Sequence, residues 1–249
     1  MLLILTTVSL SETRVSGDVS GVWEIEGSPY VVTGDITISN DNRLTIESGV
    51  EVLFDGDYRI TVQGGITADG SVNSPILFSR NNRNITWNSI YIRNARQDNS
   101  FAYCTIEYSQ SDNGGGLYCR YSAITVSNCT FRYNSCQDNG GAAYFEDCDP
   151  IVTGSQFYEN LAGLNGGGAT FYNSDGEFTH NIITNNQAVR YSAGGVFISH
   201  SSSPLISENE ITANTSSTEW GSGLYIDYYS NPEVVRNLIC MNSQGGVFV

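Results

Sequence analysis

The sequence predicts an all-β fold, a parallel β-helix whose coils each supply about three short strands and three corners. Three observations lead there. A column of apolar residues, Ile106, Phe131, Phe157, Ile183, Ile211 and Ile239, recurs with gaps of 25, 26, 26, 28 and 28 residues. Three positions after each of the last five stands an asparagine: Asn134, Asn160, Asn186, Asn214 and Asn242. Five positions before each of those five stands a second apolar residue: Val126, Val152, Phe178, Ile206 and Val234. Strands and turns this short cannot fill such a period as flat hairpins. Stacked coils bury a continuous core that a single coil could not.

Residues 1–10 read MLLILTTVSL, apolar but short and without a basic start. Residues 1–16 are therefore expected to be the remnant of a signal or leader, and 17–249 a single β-helix domain. No other stretch approaches transmembrane length. Over 17–34 lie the strand-like pieces Val22-Trp23-Glu24-Ile25 and Tyr30-Val31-Val32, with Trp23 placed to cover the open end of the core. Over 35–78 come brief alternating runs, among them Ile36-Thr37-Ile38, Leu44-Thr45-Ile46, Ile60-Thr61-Val62 and Ile76-Leu77-Phe78. Period two with β-branched residues is a strand signature, and no helical window appears. Residues 80–88 form the most polar gap and read as a loop leaving the body, after which Trp87 and Ile90-Tyr91-Ile92 return to it. From there each unit opens on a glycine-rich turn, as in Gly114-Gly115-Gly116, Gly140-Gly141 and Gly166-Gly167-Gly168. The sequence ends on Gly245-Gly246-Val247-Phe248-Val249, the opening of another rung without a polar cap. The expectation is a longer protein, or an end that a partner covers.

Asparagine suits the corners because it tolerates left-handed dihedrals. Stacked amides can also hydrogen-bond from rung to rung. A second polar column, Cys104, Cys129, Ser155, Asn181, Asn209 and Asn237, must do the same if it faces inward, since an unpartnered buried amide is costly. Cys104 and Cys129 are neighbours in that column, within reach of a disulfide at a rung spacing of about 4.8 Å, or else a stacked pair of free thiols. The six cysteines contain no C-x-x-C pair, which argues against a zinc ribbon or redox motif.

All 11 basic residues are arginines, set against 26 acids for a net charge of −15. That balance opposes nucleic-acid binding, which needs a basic surface. It is compatible with weak Ca²⁺ binding, but no cofactor is expected.

The pairing of Phe131-Arg132-Tyr133-Asn134 with Gly140-Gly141-Ala142, and of Phe157-Tyr158-Glu159-Asn160 with Gly166-Gly167-Gly168-Ala169, resembles the repeats of chlamydial polymorphic outer-membrane proteins. More broadly, 30–249 is similar to bacterial secreted right-handed parallel β-helix repeat proteins. Leu44-Thr45-Ile46-Glu47-Ser48-Gly49-Val50-Glu51-Val52 looks like their opening rungs, and Pro150, Pro204 and Pro232 match their strand starts. The resemblance implies a right-handed coil and a secreted or outer-surface bacterial protein. It says little about activity, because the matching residues are scaffold. Later repeats replace Phe by Ile, which favours the broader group.

β-Helix relatives include polysaccharide lyases and glycoside hydrolases, whose hydrolytic members need paired carboxylates across a groove. Asp147 with Asp149, and Asp55 with Asp57, are spaced to share a strand face, yet both sit in turn contexts. His180 and His200 are single, without a triad partner, and read as surface residues. No catalytic residue and no metal site is assigned.

The exposed candidate is a column between the core-facing residues of the post-glycine strand. Leu117, Ala143, Ala169, Val196, Leu224 and Val247 should face inward, as should the residues two further on, so those between point out. They are Tyr118, Tyr144, Thr170, Phe197, Tyr225 and Phe248, an aromatic stripe broken once, with Arg120, Glu146, Tyr172, Ser199 and Asp227 beside it. Such a stripe either stabilises the sheet by cross-strand stacking or presents platforms to a sugar or a protein. The expected function is a non-enzymatic surface or secreted scaffold, adhesin-like, binding a polysaccharide or a surface protein through this stripe. The alternative is a carbohydrate-active enzyme on the same coil.

Overall fold

The computed structural model describes residues 12–218 and 220–249. They form a solenoid of parallel strands in three long stacks. One stack is a nine-stranded sheet running in chain order from Gly21–Trp23 through Ile124–Ser127 to Glu233–Val235, one strand per coil. The second includes Cys104–Glu107, Thr130–Arg132, Gln156–Tyr158, Ile182–Thr184, Glu210–Thr212 and Leu238–Cys240, and carries the apolar column. The third includes Ile90–Arg93, Leu117–Arg120, Ala143–Glu146, Ala169–Tyr172, Val196–Ser199 and Leu224–Ile226, and carries the aromatic stripe. The long strand Tyr30–Ile38 belongs to both, pairing with Glu51–Phe54 at its start and Ile60–Val62 at its end.

The predicted columns stand in register. Ile106 pairs with Phe131, Phe131 with Phe157, Phe157 with Ile183, Ile183 with Ile211, and Ile211 with Ile239. The first five are wholly buried. Phe131 and Phe157 stack with centroids 4.9 Å apart and parallel planes. That is the strand spacing itself, about 4.8 Å, so each ring covers the face of the next. Trp23 lies over Tyr30 at 4.6 Å, and Trp87 over Phe54 at 4.1 Å, with the Trp87 indole N–H donating to the Glu107 carbonyl at 2.8 Å. Only one helical turn occurs among the described residues, a three-residue 3-10 segment at Ile25–Gly27.

Three details differ from the sequence reading. Thr13–Asp18, part of which was assigned to the leader, is a strand paired with Tyr30–Ile38; residues 1–11 lie outside the described residues. A fourth, two-residue strand appears in five coils, as at Ser135–Cys136 and Leu161–Ala162. The ladder asparagines are not the left-handed corner residues. Positive φ falls on the residue just before each: Tyr133, Glu159, Asn185, Ala213 and Met241, all between 54° and 56°. The physical reason is the division of labour at a corner. One left-handed residue turns the chain, and its side chain points out. The next side chain then points inward, where only a group that both donates and accepts can bridge rungs.

The bridging is continuous. Asn160 Oδ1 accepts from the Asn134 backbone N–H and from Asn134 Nδ2, both at 3.1 Å. Asn160 Nδ2 donates to the Phe131 carbonyl and to Asn186 Oδ1, both at 2.9 Å. The same pattern links Asn186 to Asn214 and Asn214 to Asn242. The second column repeats it through Ser155, Asn181, Asn209 and Asn237.

Glycine is required where coils approach most closely. A Cβ on Gly141 would strike the carbonyl of Gly167 on the next coil, and one on Gly115 would strike that of Gly141.

The cysteines are free thiols. The Cys104 backbone N–H points at Cys129 Sγ at 3.4 Å, so this column pair is in contact as expected. Cys119 and Cys148 form a second buried pair that spacing alone did not suggest, with Cys148 Sγ 3.6 Å from the Cys119 carbonyl. Burial, and after it contact with Cys129, pushes the Cys104 thiol well up. Burial also pushes Cys136 up to about 12. Thiols so protonated are poor nucleophiles.

Candidate functional site

The stripe residues stand in register as expected: Tyr118 with Tyr144, Tyr144 with Thr170, Thr170 with Phe197, Phe197 with Tyr225, Tyr225 with Phe248. Tyr91 extends the column by one coil below Tyr118. Its exposure is not as expected. Tyr144 and Phe197 retain only 6% and 7% of their surface, and Thr170 none, whereas Phe248 is 40% exposed. An outward aromatic on a stacked strand is covered by the rings above and below it, so most of its area is already used in stacking.

The rings that touch do not follow one column. Tyr91, Tyr118 and Tyr144 climb it with centroids 4.7 and 5.0 Å apart. At Thr170, whose hydroxyl bonds back to the Asn165 carbonyl, the column has no ring. Tyr144 instead meets Tyr172, two residues further along the strand, at 6.3 Å. Tyr172 stacks on His200 at 3.9 Å, and His200 on Tyr228 at 4.7 Å. The result is a diagonal track of six rings across the face. Phe197, Tyr225 and Phe248 form a separate cluster, with 5.5 Å between successive centroids.

A polar cleft of about 350 Å³ lies at the foot of the track, lined by Tyr91, Tyr118, Arg59, Asn88, Ser111 and Asp112. An adjoining cleft shares Asn88, Ser111 and Asp112 and adds Asp57. Thr86, Asn88 and Ser89, at the end of the polar segment over 80–88 and just past it, build one wall. Beside Tyr118, Glu146 accepts the phenol hydrogen bond and pairs with Arg120 at 3.3 Å. Arg120 Nε is buried and without a partner. Burial first, then the Glu146 carboxylate, raises the Tyr118 pKa far above the usual phenol value, and burial does the same at Tyr144.

The model of the family described as "Right handed beta helix region" matches residues 64–215 and again 161–249. The chain belongs to the right-handed β-helix family. No curated protein and no solved structure matches it. Among the described residues no helix is long and apolar enough to cross a membrane.

In this right-handed β-helix Asp147 and Asp149, one of the carboxylate pairs picked out in the sequence, serve the turns. Asp147 holds a left-handed corner and accepts from Asn173 Nδ2 at 2.6 Å, while Asp149 caps the Asp175 N–H at 2.9 Å. Asp55 pairs with Arg14 at 3.2 Å. His180 bonds Glu208 at 2.6 Å, and Arg236 holds the same carboxylate at 2.8 Å; Arg236 first, then the charge of His180, lowers the Glu208 pKa. His200, read as a single surface residue, is exposed as expected and also stacks into the track. Tyr228 and Tyr229 were not singled out. The signal for them was the lengthening of the repeat from 26 to 28 residues, part of which falls at their corner.

The buried phenols set an alkaline limit. Tyr118 and Tyr144 titrate in the unfolded chain near 10.0 and only well above it in the fold. The folded state then holds more protons than the unfolded one, so the stability present below pH 10 declines as pH rises past that value. The buried thiols of Cys104, Cys119 and Cys136, also raised from an ordinary value of 9.0, act in the same direction, so the melting temperature should begin to fall above about pH 9 and fall more steeply once the phenols contribute past about pH 10. Tyr118→Phe together with Tyr144→Phe should flatten the steeper part of the decline. An unchanged decline in the double variant would assign it to other groups.

Proposed function

We propose that this protein is a non-enzymatic β-helix scaffold, secreted or held at a bacterial cell surface, that binds glycan along its diagonal aromatic track. The observation that carries the reading is the half-buried rings of Tyr91, Tyr118 and Tyr172, stacked through the covered Tyr144, with a polar cleft at their foot. Sugar rings present one apolar face and a rim of hydroxyls. Aromatic rings take the former, and Asn88, Ser111 and Asp112 supply partners for the latter. The stiffness of the stacked coil suits presentation of a long binding face.

One feature favours a second reading. Asp57 and Asp112 flank adjoining clefts, an arrangement open to acid–base work on a glycosidic bond. A single experiment separates the two. The protein is screened against neutral and acidic oligosaccharides for binding and for release of reducing or unsaturated ends. Retention without release is expected, and Tyr91→Ser with Tyr118→Ser should weaken it at least about fivefold, since each stacking contact contributes roughly 0.5–1.5 kcal/mol. Circular dichroism checks that the fold persists. Chain cleavage abolished by Asp112→Asn would instead establish the enzyme. No binding to any glycan would leave the rings a purely stabilising role.

A further inference from the structure

The upper end of the track has a chemistry of its own. A cleft of about 450 Å³ is lined by Asp147, Tyr172, Asn173, His200, Tyr228 and Tyr229. Neither Arg nor Lys lines it, in a chain of net charge −15. Three tyrosines, one histidine and one carboxylate therefore border a common space. Tyr229 is 96% exposed and Tyr228 57%, so both present ring surface that no protein group covers.

The corner that makes this cleft is irregular. In the coils below, a single left-handed residue turns the chain: Asn94, Tyr121, Asp147 and Asn173, with φ near 48°. In the next two coils the turn takes two, His200-Ser201 and Tyr228-Tyr229, with φ from 48° to 60°. The serines that follow remain in line, Ser174 N–H bonding Ser202 Oγ at 3.0 Å and Ser202 N–H bonding Ser230 Oγ at 3.2 Å. The additional residue is thus extruded without disturbing the ladder. Non-glycine residues in this region carry strain, and two tyrosines held there in sequence, one almost fully in solvent, gain little from the fold.

We infer that this corner binds an organic ammonium group, as carried by an amino sugar or a trimethylammonium headgroup. Such a cation is attracted by the faces of aromatic rings and, more strongly, by a carboxylate within reach. Asp147 supplies that charge. One of its oxygens accepts from Asn173, which holds the carboxylate in place. A net negative surface draws cations toward the cleft from solution. The inference goes beyond the glycan reading and does not depend on it.

The test uses the whole chain and calorimetric titration with choline, with glucosamine oligomers, and with two uncharged counterparts, 3,3-dimethylbutan-1-ol and N-acetylglucosamine oligomers. Saturable binding of at least one ammonium compound is expected, at least tenfold tighter than its uncharged counterpart. Asp147→Asn and Tyr228→Leu should each weaken it several-fold, and added salt should weaken it further. Which of choline and glucosamine binds distinguishes the two sources. Equal affinity for the uncharged counterparts would reduce the cleft to an apolar pocket and overturn the proposal. So would the absence of saturable binding by either ammonium compound. Tyr229→Leu guards against misfolding, because a side chain this exposed contributes little to the coil. Unchanged ammonium binding in Tyr229→Leu and Asp147→Asn together would also overturn it. Loss of glycan retention in the Tyr91/Tyr118 variant, with ammonium binding intact, would show the two readings failing or holding separately.

Discussion

Replacing Phe157 by Ala lowers the unfolding free energy by about 3–5 kcal/mol, the range for a large aromatic deleted from a packed core. Phe157 has no exposed surface, stacks on Phe131 at 4.9 Å and meets Phe178 at 5.4 Å. Its neighbours above and below are pinned by strand register, so the coil cannot close over the space left behind. Stability in a solenoid is a sum of coil terms and contacts between neighbouring coils. The loss should therefore concentrate at the junction between the coils of Phe131 and Ile183. Denaturant titration gives the magnitude, and amide exchange by coil gives the place. A loss below about 1 kcal/mol would mean that the column relaxes and is not a rigid wall.

Asn160→Leu is expected to cost about 3 kcal/mol or more, although leucine is close in size and more apolar. The reason is what it abandons. The Asn134 backbone N–H and the Phe131 carbonyl both bond the Asn160 side chain in a site closed to water, and each orphaned group costs about 1–3 kcal/mol. The amides of Asn134 and Asn186 lose a partner as well. Asn160→Ser, by contrast, should lose less, since Ser155 fills the equivalent place in the other ladder and accepts the Cys129 N–H at 3.0 Å. Equal losses in Leu and Ser variants would show that side-chain volume, and not the amide ladder, holds the corner.

The two variants bear on what was legible in advance. Phe157 and Asn160 both stood out as members of columns, because each coil repeats the same local chemistry at a nearly constant interval. The stripe was legible in part. Alternation along the strand placed Tyr118, Tyr144, Phe197, Tyr225 and Phe248 outward, and their register follows it. Alternation carries no information on how much of an outward ring its neighbours cover, and Tyr144 and Phe197 proved buried. It also could not show the track passing from Tyr144 to Tyr172, a contact between different positions on successive strands.

Repetition in the sequence by itself determined the parallel coil, the apolar wall and the laddered amides. A side chain's partner there is its own counterpart one period away, so spacing alone identifies the contact. The tertiary structure decided which residue of each corner is left-handed, which rings join into a surface, and where a cleft opens. Those depend on how unlike side chains lean across neighbouring coils and on where an extra residue is extruded. Neither follows from a period, because each is set by packing between positions that do not repeat.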